Sequence, residues 1–320
     1  MITQLIRQAG NLLSANRLII LTYHRVFARK ESVWPYDLDA DTFETHLQVL
    51  KKYFNVLPLR EAVDKMSAGN LPRRSVCITF DDGYADNHDV ALPLLQKYSM
   101  PATFFIATGY LNGGIMWNDV VIESLRHTQK EQLDLSSFGL GSYQFSSDQD
   151  KTSAIEALLN QLKYKIQDER ESLVYAIKDA AGVVGTRHLM MTDEQVRSMD
   201  AQHMQIGAHT ITHPILAKLT DEKALQEIQI SKSYLENLLK HPVDIFAFPN
   251  GKPITDYTVK HVAMLKELGF KAAVSTAWGY ANQSMDKFQI PRVVLWGANK
   301  ATLIKTLLLA YRQKPAGLIG

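Results

Sequence analysis

Residues 75–83 read Ser-Val-Cys-Ile-Thr-Phe-Asp-Asp-Gly, a short apolar run that ends in two carboxylates and a glycine. A run of this length, rich in β-branched and aromatic residues and closed by turn residues, is typical of a buried strand. Similar runs recur along the chain and predict further buried strands at 17–24, 102–107, 204–209, 244–248 and 271–275.

Helical patterns occupy the intervals between these strands. In residues 41–53, Phe43, Leu47 and Leu50 fall on one side of a helix, and two more helical patterns cover 221–240 and 258–268. A strand followed by a helix, repeated many times, predicts parallel strands joined by crossover helices. The predicted fold class is therefore α/β, with a (β/α) barrel of seven or eight units as the first choice and an open doubly wound sheet as the alternative.

One long stretch, about residues 112–197, interrupts this rhythm. A polar segment at 129–151 precedes a helical pattern at 153–181, so the connection between two core strands is unusually long. We expect a single domain over residues 1–320, with a helical insertion at this point. Because loops at strand ends carry function in barrels, the insertion is a candidate substrate lid.

The composition is that of a globular chain and excludes several classes of protein. The 320 residues are 46% apolar and 21% charged, and 35 basic against 33 acidic side chains give a formal charge of +2. That balance has no bias toward polyanions, so we expect no nucleic-acid partner. No stretch approaches the roughly 18 apolar residues of a membrane span. The single cysteine, Cys77, cannot form an internal disulfide, so we expect a soluble protein of a reducing compartment.

The first fifteen residues place apolar side chains at helical spacing, without the continuous apolar segment of a signal peptide. The pattern favours a helix packed on the domain over a helix on a membrane surface, because only Arg7 and Arg17 could meet anionic lipid. The apolar stripe comprises Ile2, Leu5, Ile6, Leu12 and Leu13.

Two adjacent carboxylates, Asp81 and Asp82, follow the strand at 75–80. Parallel α/β proteins build their sites at this end of a strand, and neighbouring carboxylates are costly to ionise together unless a cation is near. A metal site explains the pair. The alternative is that one of them caps the next helix.

Two histidines four residues apart, His209 and His213, follow another predicted strand. This spacing lets both imidazoles reach one ion if the chain turns, although such a pair on a solvated helix is usually inert. Two histidines, one carboxylate and an open position for water are the composition of a hydrolytic metal site.

A third segment, Phe246-Ala247-Phe248-Pro249-Asn250-Gly251, ends a further predicted strand. A turn led by proline and closed by glycine can present backbone N–H groups to a developing oxyanion. By itself it is an ordinary β-turn.

Together, and in this order, the three segments resemble the motifs of the polysaccharide deacetylases, the NodB-homology group of carbohydrate esterase family four. Residues 79–83 match T-F-D-D-G, residues 209–213 match H-[ST]-x-x-H, and residues 246–251 fall where F-R-x-P-Y-G belongs. The resemblance covers about residues 17–294 and is greatest to the poly-N-acetylglucosamine deacetylase-like subgroup. It implies a distorted (β/α)7 barrel, one divalent ion, usually zinc, and hydrolysis of N-acetyl groups on an amino sugar.

The resemblance also implies roles for the motif residues. Asp82, His209 and His213 would hold the metal ion, and Asp81 would act as general base. The backbone N–H of Asn250 would help to hold the oxyanion.

Two family positions are changed in this chain. Ala247 stands where the family commonly has the arginine that orients the base, and no Leu-x-His lies near the C-terminus to supply the general acid. The subgroup instead begins with a strand that ends in tyrosine and histidine, here residues 21–24, so the resemblance implies His24 as the acid. Arg292 is the candidate substitute arginine. The alternatives are a core histidine and a surface arginine.

The resulting prediction is a metal-dependent carbohydrate N-deacetylase that acts on an N-acetylated sugar, polysaccharide or glycolipid precursor. The alternatives are an O-acetyl polysaccharide esterase, which would use the same site, and a glycan-binding pseudoenzyme, which the missing arginine at Ala247 would favour. With no export signal in view, we expect a cytoplasmic location, with attachment to the inner face of the membrane through residues 1–15 as the alternative.

Overall fold

A curled parallel sheet forms the centre of the protein, in a computed structural model that describes residues 2–183, 188–295 and 299–319. Each of the six predicted strands is present, with its ends trimmed by at most two residues. The described strands are β1 (Ile19–Tyr23), β2 (Val26–Phe27), β3 (Leu38–Asp39), β4 (Asn55–Val56), β5 (Ser75–Phe80), β6 (Thr103–Ile106), β7 (Gln132–Asp134), β8 (Ser142–Gln144), β9 (Gln205–Ala208), β10 (Ile245–Ala247), β11 (Ala272–Val274) and β12 (Val293–Val294).

Helices cover the outside of this sheet, and the three predicted ones are confirmed as α2, α9 and α10 in the numbering that follows. Side-chain N-caps define where several of these helices begin. At the start of α2, for example, the Asp39 side chain accepts a hydrogen bond from the Thr42 N–H. The described helices are α1 (Ile2–Leu13), α2 (Ala40–Tyr53), α3 (Leu59–Ser67), α4 (Leu92–Tyr98), α5 (Trp117–His127), α6 (Asp148–Leu162), α7 (Gln167–Ala181), α8 (Asp193–Ala201), α9 (Asp221–Leu239), α10 (Val259–Glu267) and α11 (Lys300–Ala310).

The strand order confirms the distorted (β/α)7 barrel. Seven strands follow one another as β11-β10-β9-β6-β5-β1-β12, every pair is parallel, and β4 adds to the start of β5. The segment that leads into β12 also pairs with β11 at Ile290, so the two ends of the curled sheet approach each other. Because all strands run the same way, their carboxyl ends meet at one edge.

In its described part, the stretch at 112–197 contains α5, α6, α7 and the start of α8, and the first three of these helices share a core of their own. Helices α6 and α7 both pack on α5, and their buried side chains form a cluster separate from that of the barrel. The helical pattern at 153–181 is interrupted at 163–166, since two helices rather than one lie against α5. The polar segment at 129–151 contains the antiparallel hairpin β7–β8, which the sequence did not predict. Residues 184–187 of this stretch lie outside the described part of the chain.

Helix α1 packs against α2 and α11, with Ile6 and Leu13 on the barrel core. Arg7 donates to the carbonyl of Lys52, and Arg17 donates to the carbonyl of Tyr311 at 2.6 Å. Both candidate lipid-binding arginines are thus engaged within the fold, although the side chains of the first few residues lie outside the described part. No described helix is long and apolar enough to cross a bilayer. Membrane attachment through residues 1–15 and a cytoplasmic location stay predictions.

Candidate active site

The carboxyl edge of the sheet brings all seven predicted site residues together. Strand register explains this: Tyr23 of β1 lies opposite Phe80 of β5, so the residues that follow both strands are neighbours. Arg292 comes just before β12, which pairs with β1 on its other side. The remaining six predicted residues line one cavity of about 350 Å³: His24, Asp81, Asp82, His209, His213 and Asn250.

Asp82, His209 and His213 form a cluster with the geometry of a metal site. One ligand atom from each lies within 4.8 Å of the others, and both imidazole Nε2 atoms are 3.5 Å from Oδ1 of Asp82. This composition of two imidazoles and one carboxylate is that of zinc-type hydrolytic centres, which leave a further position open.

Two observations show that these side chains fit a cation. Oδ1 of Asp82 is buried and accepts no hydrogen bond from any described residue, which is costly for a carboxylate oxygen unless a ligand satisfies it. Nδ1 of His209 lies 2.7 Å from the carbonyl oxygen of Ala247 and therefore carries the proton. Its Nε2 is left as a lone-pair donor that faces Asp82.

The ionisation of His213 and Asp82 is suited to metal binding. Burial lowers the pKa of His213 to about 4, so this imidazole is neutral at pH 7. Burial also acts to lower the pKa of His209, but interaction with Asp82 and Asp81 outweighs it and the net shift is upward. Burial alone would raise the pKa of Asp82, yet the surrounding histidines bring it well below its usual range. The carboxylate is thus ionised and ready to bind a cation.

The loop that carries the histidines is held in an unusual backbone conformation. Thr210 and His213 have φ angles of 65° and 53°, in the left-handed region that costs energy for residues with a Cβ. Glu227 of α9 braces this loop, because its carboxylate accepts from the N–H groups of Ile211 and Thr212 at 2.8 and 2.9 Å. Sequence reasoning missed Glu227, which belongs to no local motif.

Asp81 is held by the arginine proposed to replace the one absent at Ala247. The guanidinium of Arg292 donates both Nη groups to the two carboxylate oxygens of Asp81, each at 2.7 Å. Arg292 is completely buried and also donates from Nε to the carbonyl of Ser275. Burial would raise the pKa of Asp81, but the guanidinium overrides it and lowers that pKa. The surface-arginine alternative is therefore wrong.

His24 follows β1 directly and its side chain lines the cavity beside Asp81 and Asp82. Its backbone carbonyl accepts from the buried amide of Asn87 at 2.8 Å, which fixes the end of the strand. Its role as an acid stays a prediction.

Asn250 lines the same cavity from a turn whose backbone is left-handed at both Asn250 and Gly251, with φ angles of 57° and 68°. The Thr276 hydroxyl donates to the Asn250 carbonyl at 2.7 Å and holds the turn in place. No described residue accepts a hydrogen bond from the Asn250 N–H. That donor is thus free to bind a substrate oxygen, as an oxyanion site requires.

The long insertion supplies one wall of the cavity. Trp117 and Asn118 open α5, Leu159 lies on α6, and all three line the cavity, as do Lys163 and Arg170. The insertion therefore forms part of the wall of the site, and its role as a substrate lid stays a prediction. Sequence reasoning did not identify which side chains of the insertion face the cavity.

Comparison with known proteins identifies the family. The polysaccharide deacetylase model matches residues 68–166 and 173–273, well over half of the chain. The chain belongs to the polysaccharide deacetylase family, which confirms the resemblance and the prediction of a carbohydrate deacetylase.

Named relatives are distant but cover most of the chain. A poly-beta-1,6-N-acetyl-D-glucosamine N-deacetylase of Staphylococcus epidermidis is 25% identical over 250 residues, which are 70% of this chain and 83% of the relative. A putative polysaccharide deacetylase of Bacillus subtilis is 23% identical over 279 residues, 87% of this chain and 71% of the relative.

Solved structures support the fold. The Streptococcus pyogenes deacetylase PplD in complex with acetate superposes with a TM-score of 0.62 and 20% identity, covering 91% of this chain and 98% of PplD. IcaB from Ammonifex degensii gives 0.60 and 17% identity, covering 93% and 97% of the two chains.

Proposed function

We propose that this protein hydrolyses N-acetyl groups of a polysaccharide that contains N-acetylglucosamine, with a divalent metal ion, zinc, as cofactor. The observation that carries the proposal is the convergence of a metal-ligand cluster, an arginine-held aspartate and a histidine in one cavity. Family membership supports the reaction class, and the N-deacetylase relatives support the amino-sugar substrate.

Asp82, His209 and His213 would hold the ion, since one donor atom of each converges on a common position, Asp82 is ionised and His213 is neutral. Such an ion supplies Lewis-acid chemistry: it makes a water molecule more acidic and polarises an acyl oxygen.

The protein's own groups handle the protons and the negative charge. Asp81 is kept ionised by Arg292, so it can take the proton of the attacking water as a general base. The backbone N–H of Asn250 is free to stabilise the negative oxygen of the tetrahedral intermediate. His24 donates a proton to the amine nitrogen as the carbon–nitrogen bond breaks. An amine leaves poorly unless it is protonated, so this step is required for an amide substrate.

The position of Arg292 supports an enzyme over a glycan-binding pseudoenzyme. The third motif has Ala247 in place of its usual arginine, but Arg292, which immediately precedes β12, donates to the Asp81 carboxylate. The base is therefore still oriented and charged.

Elemental analysis and acetate release test the proposal together. The purified protein should bind about one divalent ion and release acetate from N-acetylglucosamine oligomers, and His213→Ala should lose both, because it removes one of three ligands. An O-acetylated oligomer without N-acetyl groups, assayed in parallel, distinguishes the esterase. Retention of metal and activity in His213→Ala contradicts the metal assignment, and release from the O-acetylated oligomer alone contradicts the amide substrate.

A further inference from the structure

A basic groove opens into the catalytic cavity. It has a volume of about 320 Å³ and shares Lys163, Arg170 and Ile215 with the wall of the cavity. One side is the turn between α6 and α7, and the other is the segment that follows His213 and leads into α9. A substrate bound at the catalytic residues can therefore extend into the groove without leaving the protein surface.

The groove carries more positive than negative charge, and most of its cations form no ion pair with a described residue. Among its described lining residues five are cationic and one, Asp168, is acidic. Lys165 is paired with Glu169, with 2.6 Å between Nζ and Oε1. The other four cations have no ion-pair partner among the described residues: Lys163, Arg170, Lys218 and Lys223. Like charges that face one another across a groove repel, and a bound anion removes that repulsion.

Arg170 is the cation at the junction of groove and cavity. Its guanidinium lies 5.0 Å from the centre of the Trp117 ring, which orients it, and its buried Nε donates to no described residue. A buried donor without an acceptor is costly, and a bound oxyanion would satisfy it. The N-terminus of α7, at Gln167, borders the same groove, and no described side chain caps it. Its partial positive charge adds to the field of the side chains.

We propose that this groove binds an anionic group of the substrate, a phosphate or a carboxylate carried by the saccharide next to the residue that is deacetylated. The proposal rests on the proposed function. It narrows the substrate class to glycans that carry an anionic group. An arginine fork and lysine ammonium groups bind both oxyanions, so phosphate and carboxylate share this chemistry. Neutral hydroxyl groups would leave the four charges unpaired.

Binding of three matched oligomers tests the proposal without relying on turnover. The probes are an N-acetylglucosamine oligomer, the same oligomer with one phosphate, and the same oligomer with one sugar oxidised to its uronic acid. Calorimetric titration should give a Kd about 10-fold lower for at least one anionic probe than for the neutral one, since charge-assisted contacts are the strong ones. The preference should shrink at high salt. The anionic probe with the lower Kd shows whether the groove prefers a phosphate or a carboxylate.

Substitutions in the groove test whether its cations cause the preference for the anionic probe. Arg170→Gln and the double variant Lys218→Gln/Lys223→Gln should each reduce the preference for the anionic probe to about 3-fold or less. Lys218 and Lys223 are exposed, so the double variant should fold even if the partly buried Arg170 is needed for stability. Lys305→Gln is the matched control, because this exposed lysine lies on α11, which packs against α1 and α2. It should keep the full preference.

The outcomes separate this proposal from the proposed function. Equal Kd values for neutral and anionic probes, or a preference that both groove variants retain, overturn the anion subsite. Acetate release from the neutral oligomer, measured on the same samples, then still supports the deacetylase. A different result separates the two in the other direction. If the anionic probe binds more tightly, the groove variants abolish that preference and no probe releases acetate, the anion subsite is supported and the proposed reaction is contradicted.

Discussion

The ion pair between Arg292 and Asp81 offers the sharpest test of the site, and Arg292→Met is the perturbation. Methionine has a similar length and no charge, so the change removes the guanidinium without opening a large cavity. The variant loses two 2.7 Å hydrogen bonds to Asp81, one of 3.1 Å to the carbonyl of Ser275 and one of 3.3 Å to the hydroxyl of Thr79. It leaves the Asp81 carboxylate buried and without its cation.

The magnitude follows from the burial of both partners. Arg292 is 0% exposed and Asp81 3% exposed, so solvent does not screen the broken pair. Removing one member of such a pair costs about 3–5 kcal/mol of unfolding free energy. The double variant Arg292→Met/Asp81→Asn removes both charges of this pair, so it should be more stable than Arg292→Met by about 2 kcal/mol or more.

The destabilisation should also depend on pH, and its sign can be worked out. In the native protein the Asp81 pKa lies below its usual value, so the pair stabilises the fold above about pH 4 and loses that contribution as the pH falls further. In Arg292→Met the same pKa is raised by burial, so acidification protonates the carboxylate and removes the penalty. The stability difference between the two proteins should therefore narrow from pH 7 toward pH 4 and below.

Urea unfolding, followed by tryptophan fluorescence on protein stripped of metal by a chelator, measures these differences. Two results would refute the reasoning. One is a loss under about 1 kcal/mol in Arg292→Met. The other is a double variant whose loss equals the sum of the two single losses, because independent residues behave additively and a buried pair does not.

Three further variants test the remaining roles. Asp81→Asn should keep its metal and lose about 10²–10⁴-fold in turnover, whereas Asp82→Asn should lose metal affinity itself; equal metal loss in both, by elemental analysis, contradicts the division of roles. His24→Ala should slow amide deacetylation by about 10²-fold while sparing nitrophenyl acetate, whose leaving group needs no proton; equal losses on both substrates would mean a positioning role. Glu227→Gln should weaken metal affinity by about 10–100-fold in a competition titration, since it loosens the loop that carries two ligands, and an unchanged affinity would show that the brace is dispensable.

The sequence predicts the barrel and the catalytic edge well because both are encoded locally. Each motif follows a short buried strand, and parallel pairing brings all strand ends to one edge, as the register of Tyr23 opposite Phe80 shows. His24 and Arg292 could be predicted only with the help of the family resemblance, because the aspartates beside them in the structure are distant in the sequence. The structure places Arg292 on Asp81 across 211 residues of sequence.

The parts that sequence reasoning missed depend on tertiary packing. Glu227 lies on a helix among other polar residues, and nothing nearby marks it as the acceptor for the loop at 211–212. Arg170 and Trp117 reach the cavity only because α7 and α5 pack together over the barrel edge. The hairpin β7–β8 lies in a polar segment whose composition resembles a loop.

The long separation between Asp81 and Arg292 also sets an order of events during protein synthesis. The ribosome completes β5 and its two carboxylates before the insertion, and it adds Arg292 211 residues after Asp81. Until Arg292 and β12 dock beside β1, the Asp81 carboxylate has no cation and its burial is unfavourable. A nascent or shortened chain that lacks Arg292 and β12 therefore cannot bury the Asp81 carboxylate as an ion pair. Such a chain lacks the ion pair that holds Asp81, so we expect deacetylase activity only from chains that extend at least through β12.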